Sequence, residues 1–231
     1  MKLLGIVGGL GPESTIEYYK EIFRVYRERV PDGPEPSFIL NSIDVKTAVR
    51  LVTAGELDEL VKFLSEAVCR IAKAGAQFWL ISANTPHIVF DRVQKVSPIP
   101  LLSIVEAACN ESKAQGLSRV GLFGTRYTMQ GSFYRDVFTR GNVELVAPSA
   151  DEQDFVHHIY MKELLNGIVR DETRTRLIEI AETMRQRDGI EGLLLAGTEL
   201  SLILKELPRS ELQLLDTTKI HVEAAVKEML S

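Results

Sequence analysis

Cysteine is scarce: among 231 residues only Cys69 and Cys109 occur, far apart and each inside a helix-like pattern. Two such residues give neither a disulfide framework nor the spacing of a metal site, so a reducing compartment and no bound metal are expected. In both settings a buried thiol acting as a small hydrophobe is the default reading. Long apolar runs are missing as well. No stretch approaches the ~18 consecutive apolar residues of a membrane-spanning helix, and the apolar run that opens the chain, Leu3 to Val7, is too short for a signal peptide. A cytoplasmic protein is expected. Blocks of Lys and Arg are also absent, with 27 basic against 32 acidic residues and a net charge of −5. That balance argues against nucleic acid and anionic membrane as partners. Of the four histidines, His157 and His158 are neighbours. On a helix they diverge by about 100° and cannot chelate one metal together.

What the chain does have is alternation. Short apolar runs bounded by turn residues alternate with longer segments of helical period, the pattern of a parallel sheet with helices packed on it, so the fold class is read as α/β. The first half reads as strand Leu3 to Val7, helix from Ser14, strand Phe38 to Asn41, helix Leu57 to Lys73, strand Gln77 to Ser82 and helix from Pro86. Within Leu57 to Lys73, Leu60, Leu64, Ala67, Val68 and Ile71 recur at three- and four-residue intervals and predict one buried stripe. The second half reads as strand Val120 to Phe123, helix Thr128 to Thr139, strand Val143 to Val146, helices Asp154 to Val169 and Thr173 to Arg187, and strand Gly192 to Ala196. Strand Leu212 to Leu215 and helix Thr218 to Leu230 finish it.

Two correspondences suggest that the halves are copies. Gly5-Ile6-Val7-Gly8 matches Gly121-Leu122-Phe123-Gly124, and Leu80-Ile81-Ser82-Ala83-Asn84-Thr85 matches Leu194-Leu195-Ala196-Gly197-Thr198, at nearly equal offsets. The expected architecture is therefore two similar parallel-sheet lobes related by a pseudo-twofold, residues 1–98 joined by the C-terminal helix 217–231, and residues 99–216. Pro98-Ile99-Pro100 is the expected first crossing and Pro208 to Glu211 the return. Ligands of open α/β sheets bind outside the carboxyl ends of the strands, so the matched loops are expected to line one cleft between the lobes.

The loops carry the candidate chemistry. Gly8-Gly9-Leu10-Gly11-Pro12-Glu13-Ser14 lets backbone amides come close to a ligand and then opens a helix, whose amino end favours an anion. Its spacing is not that of a dinucleotide fingerprint, and a tight strand-to-helix turn is the plainer alternative. Ser82, Asn84 and Thr85 place polar side chains at a strand end, as Thr198 and Glu199 do in the second half. Helix capping by Asn84, Thr85 or Thr198 is the structural alternative.

At these residues the sequence resembles the aspartate and glutamate racemases that work without pyridoxal phosphate, nearest to the L-aspartate/glutamate-specific type. The anchors run almost end to end: Gly8 through Thr15, Asn84-Thr85-Pro86-His87, Gly124-Thr125-Arg126-Tyr127-Thr128-Met129, Thr198-Glu199-Leu200 and Asp216-Thr217-Thr218-Lys219-Ile220-His221. The resemblance implies no cofactor, a homodimer, and a site in which one thiol precedes the Asn-Thr of the first loop and another precedes the Thr-Glu of the second. One thiol removes the α-proton and the other returns a proton from the opposite face. Here those positions are Ala83 and Gly197, neither of which can exchange a proton. The resemblance further implies that Asn84, Thr85 and Thr198 meet the substrate, which Gly9 and Ser82 on the same loops are expected to join, and that a basic residue, Lys46 or Arg50, and a second, Lys162, pair with its carboxylates. As the alternative, these three cations are solvated surface charges.

The expectation is thus a racemase-family protein that binds a small acidic amino acid or dicarboxylate, with racemisation weak or lost. A non-catalytic amino-acid-binding or regulatory module is the alternative from another class. A cysteine-independent isomerase or lyase using Glu199 as acid or base is the third reading.

Overall fold

Apolar runs become fully buried strands where neighbours flank them on both sides. In the computed structural model, which describes residues 1–207 and 211–231, β1 (Leu4–Gly8) is buried throughout. It is followed by α1 (Pro12–Arg29), β2 (Phe38–Ser42), α2 (Val45–Thr53), α3 (Leu57–Lys73) and β3 (Phe78–Ile81). A 3₁₀ turn over Thr85–Val89 leads into α4 (Phe90–Val96) and α5 (Ile104–Ala114). The second series is β4 (Arg119–Gly124), α6 (Arg126–Gln130), α7 (Ser132–Arg140), β5 (Glu144–Val146) and α8 (Ala150–Lys162). After a 3₁₀ turn at Leu164–Asn166 come α9 (Asp171–Asp188), β6 (Gly192–Ala196), α10 (Leu200–Ile203), β7 (Gln213–Asp216) and α11 (Thr217–Leu230). Among the described residues, no helix is long and apolar enough to cross a membrane.

The chain forms an α/β fold with two parallel sheets, ordered β2-β1-β3 and β5-β4-β6-β7. The first also gains a fourth position at its β3 edge. There Leu101 bridges Trp79 in parallel, with the Trp79 amide donating to the Pro100 carbonyl at 2.9 Å and the Leu102 amide donating to the Trp79 carbonyl at 2.8 Å. Pro98-Ile99-Pro100 therefore stays with the first sheet, and both sheets share one order of second, first, third and fourth strand. Equivalent glycines end the central strands: a Cβ on Gly8 would lie 2.6 Å from Thr15 Cγ2, and one on Gly124 2.8 Å from the Ala196 carbonyl.

The chain divides into two units, Met1–Ile104 with Thr218–Ser231, and Val105–Thr217. Helices are exchanged between them. The helix after the fourth position of the first sheet, α5, belongs to the second unit, and α11, which follows β7, belongs to the first. In the first unit, Val222, Ala225, Val226 and Met229 of α11 pack with Leu4, Ile6, Tyr18, Ile22 and Leu80. The second unit is centred on Phe123, Val156, Ile159, Leu177, Leu193 and Leu195. The expected return at Pro208 to Glu211 falls on residues 208–210, outside the described residues.

Several elements differ from the sequence expectation. Helix α3 has the expected bounds and stripe, but Cys69 is exposed rather than buried, because it falls on the solvent side of that stripe. The single helix expected over Thr128 to Thr139 is broken at Gly131, whose extended backbone (φ −69°, ψ 156°) ends α6 and starts α7. The helix expected from Asp154 begins at Ala150, where Ser149 and Glu152 form a capping box, and regular structure ends at Gly167 in the left-handed region (φ 70°) rather than reaching Val169. Helix α2, missed in the sequence, is capped by Asp44, whose carboxylate accepts from the Lys46 and Thr47 amides.

Two buried histidines tie α11 and the loop after β3 into the first unit. The Tyr18 hydroxyl donates to His221 Nδ1 at 2.8 Å, and His221 Nε2 donates to the Leu102 carbonyl at 3.2 Å. His87 Nδ1 donates to the Ala83 carbonyl at 3.1 Å while its Nε2 accepts from the Ile104 amide at 3.4 Å. Burial lowers His87 from 6.5 to about 4, and burial together with His87 lowers His221 to about 3. Both rings are neutral when folded, so the stability they contribute is complete above the unfolded value of 6.5 and is lost as pH falls toward those folded values. Urea titrations through that window are expected to show unfolding taking up about two additional protons; a stability independent of pH there would contradict the neutral assignment.

Candidate functional site

The first group of loops is stitched together by hydroxyls. Gly9 has φ +81°, and a Cβ there would meet the Ile43 carbonyl and Ser42 Oγ at 2.4 Å, so the turn after β1 demands glycine. Its amide donates to Thr15 Oγ1 at 2.8 Å. Thr15 Oγ1 lies 3.3 Å from Ser82 Oγ, and the Ser14 hydroxyl donates to the Ser82 carbonyl at 3.0 Å. The glycine turn and the end of β3 are thereby one assembly, with Ser82 fully buried inside it. Ala83 is 6% exposed, and its carbonyl is held by His87. Asn84 is buried and Thr85 half-buried. Asn84 stands at the N-cap of the 3₁₀ turn but makes no side-chain cap bond, which removes the capping explanation for it.

In the second unit β6 delivers Gly197, Thr198 and Glu199, all buried. Thr198 does not cap the following helix either; its hydroxyl donates to Glu199 Oε2 at 2.8 Å. The same oxygen accepts from the hydroxyl of Tyr160 on α8. Glu199 is 1% exposed, and its Oε1 has no hydrogen-bond partner among the described residues. Burial raises the Glu199 carboxyl above its ordinary value, opposed by the hydrogen bonds from Tyr160 and Thr198. Burial, then the carboxyl beside it, pushes the Tyr160 phenol well above its usual range. The Tyr160 ring also runs beside Gly197, where a Cβ would lie 2.5 Å from Tyr160 Cε2 and 3.3 Å from Leu200 Cδ1. Gly197 is excluded from carrying a side chain by this contact and not by its backbone.

The sequence-predicted residues thus fall into three groups. Gly9, Ser82, Ala83, Asn84 and Thr85 gather at strand ends of the first unit, and Gly197, Thr198 and Glu199 gather at the end of β6. Lys46, Arg50 and Lys162 are exposed on helices, and Arg50 is engaged with Glu56 at 2.9 Å. Neither thiol belongs to these loops: Cys69 is on α3, and Cys109 is on α5, where burial raises its pKa. Sequence reasoning missed Tyr160, whose only mark was a place in an apolar helical period, and missed Ser14 and Thr15 as the braces of Ser82. Among the described residues no group of three His, Cys, Asp or Glu side chains is placed to hold a metal ion.

Comparison with known proteins shows what the chain as a whole is similar to. The sequence model described as Asp/Glu/Hydantoin racemase matches residues 7–225. The broad specificity amino-acid racemase RacX of Bacillus subtilis is 22% identical over 250 residues, covering 99% of each chain. Among solved structures, a Yersinia pestis protein provisionally named an Asp/Glu racemase superposes with a TM-score of 0.91 at 31% identity over 100% of both chains. An aspartate racemase homologue from Pyrococcus horikoshii OT3 superposes with a TM-score of 0.83 at 32% identity over 99% of both chains. With the family match spanning nearly the whole sequence, this chain belongs to the Asp/Glu/Hydantoin racemase family.

Proposed function

We propose that this racemase-family chain binds a small acidic amino acid or a related dicarboxylate at the carboxyl ends of its parallel strands, and that racemisation through paired thiols is weak or lost. The observation that carries the reading is the state of the two matched loops. Each ends a buried strand in small residues and polar groups, Ser82-Ala83-Asn84 and Gly197-Thr198-Glu199, and neither Asn84 nor Thr198 is used as a helix cap. Polar groups held at strand ends without a capping role are suited to a polar ligand. Ala83 and Gly197 stand where the family resemblance puts the two proton-transferring cysteines, and neither offers a titratable atom.

Glu199 favours a second reading, cysteine-independent proton transfer, because a buried carboxyl with a raised pKa is a suitable acid or base. A homodimer in the cytoplasm is proposed on the resemblance and the low cysteine content; light scattering tests the dimer.

Incubation with L- or D-aspartate and glutamate in D2O separates these readings. The expected result is a rise in Tm with at least one of these ligands and little or no α-deuteration by NMR. Rapid α-deuteration abolished by Glu199→Gln would replace the first reading with the second, and absence of any Tm response would refute acidic-ligand binding.

The Tyr160 contact gives a further expectation. Ala83→Cys with Gly197→Cys should not racemise aspartate while the Tyr160 ring occupies the space beside residue 197, and activity should emerge once Tyr160→Leu is added. Racemisation by the double variant alone would show that the ring yields freely.

A further inference from the structure

Glu199 is an uncommon carboxyl. The side-chain hydrogen bonds it receives, from Tyr160 and Thr198, converge on Oε2, its own backbone amide also donates to the carboxyl, and Oε1 is buried without a hydrogen-bond partner of full geometry among the described residues. No Lys, Arg or His among those residues pairs with it, so no cation offsets a buried negative charge. The groups facing it are the Tyr160 phenol from α8, the Thr198 hydroxyl from its own loop and its own backbone amide, all neutral donors. Lys162, although on the same helix as Tyr160, is exposed.

Leaving one carboxyl oxygen buried and unpaired is costly, so native structures rarely keep such an atom unless something binds there. With both side-chain donors on Oε2, the proton of a neutral Glu199 resides on Oε1. We infer that Glu199 presents this Oε1 proton to a carboxylate oxygen of the ligand, with Tyr160 as the positioning residue that fixes the carboxyl and fills the space beside Gly197. This inference rests on the acidic-ligand reading above and assigns the atom that meets the ligand. An anionic Glu199 in the same place would repel a carboxylate, so recognition is restricted to the protonated form. That form is the one favoured by burial.

The test is the pH dependence of aspartate affinity, measured by calorimetry on the intact protein over the range in which both ligand carboxylates stay ionised and the ammonium stays protonated. For the unsubstituted protein, affinity should fall about tenfold per pH unit once Glu199 ionises. Glu199→Gln, whose amide donates at every pH, should keep aspartate affinity within a few-fold and lose the pH dependence. Tyr160→Phe removes one donor to Oε2, raises the Glu199 pKa and should move the midpoint to higher pH; a mere packing role would lower affinity equally at all pH values. Should Glu199→Gln fail to fold, the Tyr160→Phe midpoint decides alone. Binding by the unsubstituted protein with an identical pH profile in Glu199→Gln, or an unmoved midpoint in Tyr160→Phe, overturns this inference and leaves the acidic-ligand reading standing. No binding of aspartate or glutamate by the unsubstituted protein at any pH overturns both.

Discussion

Two heavy atoms cannot share one place, and at the end of β6 the edge of the Tyr160 ring occupies the volume a side chain on residue 197 would need. The 2.5 Å separation between Tyr160 Cε2 and a Cβ built on Gly197 is shorter than any packed contact allows. Everything distinctive about the second loop follows from that exclusion. The ring can lie there only if residue 197 is glycine, and its hydroxyl then reaches Glu199, which holds Thr198 in turn. The loop after β6 is built around a phenol and a buried carboxyl.

The scaffold places this loop with little freedom. Strand β6 lies between β4 and β7 and is buried along its length, so the residues that follow it leave the sheet from a fixed point. The first unit repeats the arrangement in β3, flanked by β1 and by the single bridge at Leu101. There the fixing is done by hydroxyls and imidazoles: Ser14 and Thr15 hold Ser82, and His87 holds the Ala83 carbonyl. Exchange of α5 and α11 makes each unit depend on a helix that follows the other unit's last strand position. Such an exchange binds the fold of one half to the chain of the other and fits the duplication visible in the sequence.

Much of this was legible in the residues alone, for physical reasons. Strands buried on both faces read as continuous apolar runs, so β1, β3, β4 and β6 were found within a residue or two, and the stripe of α3 gave its bounds directly. Matching Gly5-Ile6-Val7-Gly8 with Gly121-Leu122-Phe123-Gly124 suggested two similar parallel-sheet halves, and two parallel sheets are found. What failed depended on local chemistry that periodicity does not register, such as the extended Gly131 that splits α6 from α7. The capping box at Ser149 and Glu152 was readable from its spacing and was overlooked. Tyr160 could not be found at all, since its importance lies in a contact with residues 37 to 39 positions away, and a buried tyrosine in a helix has no separate sequence mark.

A double-mutant cycle tests the central contact most directly, with unfolding free energies measured for Gly197→Ala, Tyr160→Leu and their combination. The account predicts that adding a methyl group at 197 costs about 1–3 kcal/mol while the tyrosine is present and that most of this cost disappears when leucine replaces it. Equal cost of Gly197→Ala in the two backgrounds would contradict the claim that the Tyr160 ring determines what residue 197 can be.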